Sequence, residues 1–163
     1  MSSSGSQVLG EDGERVLYRR WRDGADGDGS TVLAVLPATE HPTSGCLERL
    51  KHEFGLKDEL DSAWAAQPLE LIRERGQTLL VLADPGGAPL DRLLGAPMEI
   101  GTFLRLAVSL SAALGALHRR GLIHKDIKPA NVLVDSAASR VWLTGFGIAS
   151  RLPRERQAPE PPE

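Results

Sequence analysis

The chain has 163 residues, 41% hydrophobic and 25% charged, with a net charge of −3; this is ordinary globular composition, with room for one domain or two small lobes. Acids and bases are interspersed, which excludes the basic footprint of a nucleic-acid binder and the polybasic patch of a membrane-surface protein. A lone cysteine, Cys46, excludes an internal disulfide, and MSSSGSQVLG lacks the basic-then-apolar order of a secretory leader, so a cytoplasmic location is expected.

Residues 1–7 are polar and are expected to be disordered. Two β-like runs follow, ERVLYRRWR and TVLAVLP, separated by DGADGDGS, whose glycines and aspartates suit a turn. In GCLERLKHEFGLKDEL, residues 45–60, Leu47, Leu50 and Phe54 recur at helical spacing, which predicts one helix against the sheet. PLELIRE and TLLVLAD, joined at Arg75-Gly76-Gln77, read as a β-hairpin that runs into a hinge at Asp84-Pro-Gly-Gly87. After the hinge LDRLL reads as a short helix. Residues 99–118 read as a long one, with Ile100, Phe103, Leu104, Ala107, Leu110, Leu114 and Leu117 on one face and Gly121 beyond its C-terminus. Its most apolar window, FLRLAVSLSAALGAL, is about fifteen residues and carries Arg105, short of the ~20 needed to cross a bilayer, so a buried helix is expected. NVLVD and RVWLTG are two further strands. RLPRERQAPEPPE, rich in proline and charge, is expected to be extended or disordered.

The chemistry is concentrated in GLIHKDIKPANVLVD, residues 121–135. An aspartate on a loop between a helix and a strand, with a lysine two residues on and an asparagine five residues on, is the arrangement needed to move a phosphoryl group onto a hydroxyl. Asp126 would orient the hydroxyl and accept its proton, Lys128 would neutralise charge on the transferring phosphate, and the Asn131 amide oxygen would ligate Mg²⁺. His124 is expected to be structural, bonded to nearby backbone.

H-K-D-I-K-P-A-N-V-L-V resembles the catalytic loop of eukaryotic-like protein kinases, H-R-D-x-x-x-x-N before a strand, and its Lys-Pro resembles the Ser/Thr branch. PLDRLLGAPMEIGTFLRL, HRRGLIHKDIKPANVLV and VWLTGFGIASRLPRERQAPEPPE are similar to the N-terminal kinase-like domain of large bacterial sensor proteins that also carry an ATPase module and a histidine kinase. The resemblance implies an α+β, two-lobed kinase fold. Its N-lobe, five strands and one helix, would occupy residues 8–84, a hinge and partial C-lobe residues 85–150, and a truncated activation segment residues 151–163. It further implies ATP and Mg²⁺ in the cleft, a protein Ser/Thr acceptor, and the downstream modules of a larger sensor as partners, with no nucleic acid or membrane. Asp126, Lys128 and Asn131 take the catalytic roles, Lys128, Asn131, Val81 and Ala83 the nucleotide contacts, and Asn131 the metal.

Several family positions depart from the pattern. Gly145-Phe146-Gly147 falls on the D-F-G motif, and glycine has no carboxylate for the second metal bond. Strand three, Val32-Leu-Ala-Val-Leu-Pro37, lacks the phosphate-anchoring lysine, and no Lys or Arg occurs from residue 23 to 48. Glu53, the match to the helix glutamate that pairs this lysine, is left with no strand-three partner and reads equally well as a solvated helix glutamate. Gly10-Glu-Asp-Gly13 is a poor glycine-rich loop, Gly24–Gly29 reads as a strand-connecting turn, and Lys125 replaces the family's Arg. The expectation is an impaired Ser/Thr protein kinase with weak or absent Mg²⁺ dependence. The alternatives are a pseudokinase and, against Lys128-Pro129 and the GFG context, a small-molecule phosphotransferase of the aminoglycoside kinase type.

Overall fold

A computed structural model describes residues 5–24 and 29–153 of the chain. The expected turn at Gly24–Gly29 falls largely outside these residues, as do the expectations of disorder for residues 1–4 and 154–163.

Five antiparallel strands build the first lobe: β1 (Gln7–Glu11), β2 (Arg15–Arg22), β3 (Ser30–Pro37), β4 (Pro68–Glu74) and β5 (Gln77–Ala83), in the spatial order β1-β2-β3-β5-β4. Gln7, placed by the sequence in a disordered start, instead pairs with Arg19. The turn between β4 and β5 uses Arg75 and Gly76, both at positive φ (51° and 82°), the geometry that suits a two-residue hairpin. Period-two alternation divides the side chains between two faces. Val32, Ala34, Leu79 and Val81 cluster on one face, with Tyr18 and Ile72 against them. Leu33, Val35, Leu80 and Leu82 point to the other, where they meet Leu9, Leu50 of the helix α1 (Ser44–Gly55), and Leu133 and Trp142 of the second lobe.

α1 starts at Thr43, whose hydroxyl accepts the Cys46 N–H at 3.2 Å. It ends at Gly55, earlier than the predicted residue 60, because Leu56 and Leu60 turn away to join the core of the second lobe with Trp64 and Leu117. The chain then enters the hinge, where Arg19 clamps Asp84 through two hydrogen bonds of 2.6 and 2.9 Å and reaches the Gly87 carbonyl at 2.8 Å. Beyond it lie β6 (Ala88–Pro89), a 3-10 turn at Leu90–Leu93 and the long helix α2 (Ile100–Arg119), capped by the Glu99 carboxylate. β7 (Leu122–Ile123) pairs with β10 (Ser150–Arg151), so Arg151, the start of a stretch expected to be extended or disordered, lies in a strand. A three-stranded sheet, β6 with β8 (Val132–Asp135) and β9 (Arg140–Leu143), carries the catalytic loop between β7 and β8.

The predicted apolar face of α2 is corrected in its first half. Leu106, Ala113 and Leu117 are buried with Leu110 alongside, whereas Ile100, Phe103 and Leu104 are 72%, 55% and 54% exposed. Leu106, Leu110, Ala113 and Leu117 form one i, i+4, i+7, i+11 row, and the packing against β9 and β7 follows that row. The helix is also longer than its apolar window suggested: at 20 residues, with an 18-residue stretch of mean hydropathy 1.7, it is by length and composition sufficient to cross a membrane, and with 17% of that stretch buried it is not the buried helix expected.

Candidate nucleotide and phosphoryl-transfer site

The catalytic loop is held from beneath by His124. Its Nε2 lies 2.9 Å from the Thr144 carbonyl and its Nδ1 accepts the Asp126 N–H at 3.1 Å, which assigns the neutral Nε2–H tautomer. Burial pushes the imidazole below its ordinary pKa, and the ring lies 4.7 Å from Phe146. This is the backbone-bonded role expected of it. Pro129–Asn131 then forms one 3-10 turn that swings Asn131 back under Asp126.

Asp126, Lys128 and Asn131 come together. Asn131 is fully buried, and its Nδ2 donates to the Asp126 carbonyl at 2.8 Å and to Asp126 Oδ2 at 2.9 Å. Lys128 Nζ stands 3.5 Å from that same carboxylate oxygen and 3.2 Å from Asp12 Oδ2. Asp12 lies on the turn between β1 and β2, so this pair joins the two lobes across the cleft. Burial acts to raise the Asp12 carboxyl, but the N–H groups of Arg15 and Glu14, with Arg15 and Lys128, outweigh it and hold the group below its ordinary value.

Arg15, at the start of β2, was not among the residues expected here. Its Nη2 donates to Asn131 Oδ1, and its Nη1 lies 3.8 Å from Glu53 Oε2. The residue had a sequence signal: alternation in ERVLYRRWR places Arg15, Leu17 and Arg19 on one face of β2, the face that meets the cleft and the hinge. Glu53 is not a solvated helix glutamate. It is 1% exposed, accepts the Gly145 N–H at 3.1 Å, and is pushed above its ordinary pKa by burial, with Arg15 opposing. The helical period turns it inward beside Leu50, against the second lobe.

Gly145 has φ +79°, a region that favours glycine. A Cβ at this position would fall 2.5 Å from Arg15 Nη2 and 2.6 Å from Asn131 Oδ1. The guanidinium therefore occupies the space into which a side chain at residue 145 would project.

Val81 and Ala83 are less favourably placed for a nucleotide. The Val81 side chain lies on the opposite sheet face from the cluster that meets Leu133, because β5 alternates and Leu80 and Leu82 take the inner positions. The Ala83 N–H already donates to the Gln67 carbonyl at 2.8 Å. Val35 is the strand-three residue that faces the cleft. With Gly10, Leu17, Ala130 and Thr144 it bounds a narrow slot of about 20 Å³; a wider cavity of about 390 Å³, bounded by Arg15, Glu53, Asp126, Lys128 and Gly145, shares Asp12 and Arg15 with it. Pockets for drug-sized ligands are roughly 300–1,000 Å³. The wider cavity falls within that range and the slot does not.

The two positions that the family uses for Mg²⁺ do not fit it as they stand. It requires near-octahedral hard oxygens, yet residue 145 offers none and Asn131 Oδ1 faces a guanidinium.

Residues 37–161 match the protein kinase domain family. A serine/threonine-protein kinase of Mycobacterium tuberculosis, PknJ, is 34% identical over 171 residues, covering 92% of this chain and 27% of that protein. Another, pkn2 of Myxococcus xanthus, is 32% identical over 121 residues, covering 72% of this chain and 15% of that protein. The chain thus spans about a quarter or less of the length of these two curated relatives. Family membership implies use of ATP and Mg²⁺, against which the local donor set stands out. Matched from the end of β3 through the catalytic loop and beyond, and by bacterial relatives of the same type, this chain belongs to the protein kinase family as a eukaryotic-like serine/threonine kinase domain.

Proposed function

We propose that the domain binds a nucleotide in its cleft and transfers phosphoryl groups to protein Ser or Thr hydroxyls slowly, as an impaired kinase within a larger signalling protein. The observation that carries this reading is the Arg15 guanidinium seated on Asn131 beside a glycine at residue 145. Asp126 remains hydrogen-bonded to Asn131 beside Lys128, so the group that would orient the hydroxyl and take its proton is held in place. What the site lacks is the preorganised charge around the transferring phosphoryl group. Loss of one such donor costs on the order of 3 kcal/mol of transition-state stabilisation, and neither the strand-three lysine nor the carboxylate at residue 145 is present.

Engagement of Lys128 by Asp12 favours a second reading, a pseudokinase that binds nucleotide and relays its presence without chemistry. Radiolabelled ATP, offered with a Ser/Thr-rich protein substrate, separates the two. Slow transfer abolished by Asp126→Asn supports the impaired kinase; no transfer above the Asp126→Asn background supports the pseudokinase. Turnover of about 1–100 s⁻¹, the ordinary kinase range, would overturn both.

A further inference from the structure

Phosphates need cations, β3 supplies none, and a guanidinium nonetheless stands at the centre of the cleft. Building on the reading of that cleft as a nucleotide site, we propose that Arg15 is its phosphate anchor, taking the place of both a strand-three lysine and a metal ion. With Lys128 it forms a metal-independent polyphosphate subsite, which the Asp12 carboxylate fills until a nucleotide arrives.

Three features of the site converge on this role. The first is steric: a Cβ at residue 145 would lie 2.5 Å from Arg15 Nη2, so a side chain there and the guanidinium exclude each other. The glycine that removes the metal ligand also makes room for the arginine. The second is the buried Glu53, whose one cationic partner within salt-bridge reach among the described residues is Arg15, at 3.8 Å. A cation arriving from β2 thus answers a carboxylate that β3 leaves unpaired. The third is that an anion already sits between the two cations, since Asp12 Oδ2 is 3.5 Å from Arg15 Nε and 3.2 Å from Lys128 Nζ.

Asp12 is suited to yield. Its other oxygen caps its own turn, accepting the N–H groups of Glu14 and Arg15 at 3.2 and 3.0 Å, while the lysine it bridges is 39% exposed. The Asp12 side chain is 20% exposed, so the pair is partly screened by water through the lysine and is weaker than a fully buried one. A triphosphate brings several charges and many acceptor oxygens to the same two cations, with the planar guanidinium matched to bidentate contact. The charged groups around the cavity are Arg15, Lys128 and Arg49 against Asp12, Glu14, Glu53 and Asp126. Withdrawal of Asp12 shifts that balance toward an anionic ligand.

The test titrates ATP and, separately, inorganic triphosphate into the chain, with Mg²⁺ and with a chelator. Chelation is expected to change wild-type ATP affinity by less than about twofold, and Arg15→Met to weaken both ligands about tenfold or more, the worth of a charge-assisted hydrogen bond. Asp12→Asn should tighten triphosphate. The pair Arg15→Ala with Gly145→Asp should introduce Mg²⁺-dependent tightening that Gly145→Asp alone does not give. A loss of about tenfold in wild-type affinity on chelation would overturn the proposal. So would ATP and triphosphate binding unaffected by Arg15→Met, which leaves the nucleotide reading standing and removes Arg15 from it. Failure of the wild-type chain to bind ATP under either condition sinks both. If Arg15→Met shows no cooperative thermal transition, Asp12→Asn decides: unchanged triphosphate affinity then refutes the subsite.

Discussion

Gly145→Ala tests the geometry of the cleft most directly through stability. Two costs are separable in the structure. The φ of +79° places a Cβ-bearing residue in the left-handed region, at about 1–2 kcal/mol. The new Cβ would also stand 2.5 Å from Arg15 Nη2 and 2.6 Å from Asn131 Oδ1, distances that real Cβ atoms essentially never show, so both the guanidinium and the Asn131 amide must shift apart from it. Withdrawal breaks the bond to Asn131 and loosens the cation opposite the buried Glu53, a loss of about 1.5–3 kcal/mol for a hydrogen bond to a charged group. The sum, about 2.5–5 kcal/mol, is a large part of the stability of an ordinary domain. Urea unfolding followed by fluorescence of the buried Trp64 and Trp142 reads it; with m near 2 kcal/mol/M, the midpoint should fall by about 2 M. Combining Gly145→Ala with Arg15→Ala should be less than additive by about 1.5–3 kcal/mol, because both substitutions remove one interaction. A loss below about 1 kcal/mol for the single variant, or strict additivity in the pair, would refute the mutual exclusion of Arg15 and a side chain at 145.

Glu53 should leave a signature in the pH dependence of stability. Its folded pKa is raised above the ordinary 4.5, so its favourable contribution is fully present below the unfolded value and is lost as pH rises through the folded one. Glu53→Gln should therefore flatten the decline in melting temperature as pH rises above the ordinary carboxylate value, and identical profiles for the two proteins would place the carboxylate in solvent. At the hinge, burial acts to raise Asp84, while the Arg19 and Gly86 hydrogen bonds outweigh it and leave the group below its ordinary value. Asp84→Asn should cost about 3 kcal/mol by stranding the mostly buried Arg19, and should speed hydrogen exchange at the Gly86 amide. Wild-type exchange at Gly86 together with an unchanged melting temperature would show that the clamp does not hold the hinge.

The catalytic loop and the hairpin were legible in the sequence because each is local. Asp126, Lys128 and Asn131 lie within six positions, a helix precedes them and a strand follows, and backbone geometry over so short a span leaves little freedom in how they meet. Arg75-Gly76 between two alternating runs similarly admits one kind of turn. Family resemblance extended this to the two lobes, and to the absence of a carboxylate at residue 145. The positions it misread are ones whose surroundings come from distant parts of the chain. Glu53 carries no mark of burial in its own helix, where the period alone puts it beside Leu50; it is the second lobe, bringing the Gly145 N–H against it, that removes it from water. Phe103 and Leu104 fit an apolar stripe as well as Leu106 does, and contact with β9 and β7 chose the row. Arg15 and Asn131 are separated by 116 positions. Residue type and strand alternation told which face of β2 the arginine occupies, but only the closure of one lobe on the other could bring its guanidinium to the amide, because that contact depends on the relative placement of two sheets and a glycine with no side chain in between.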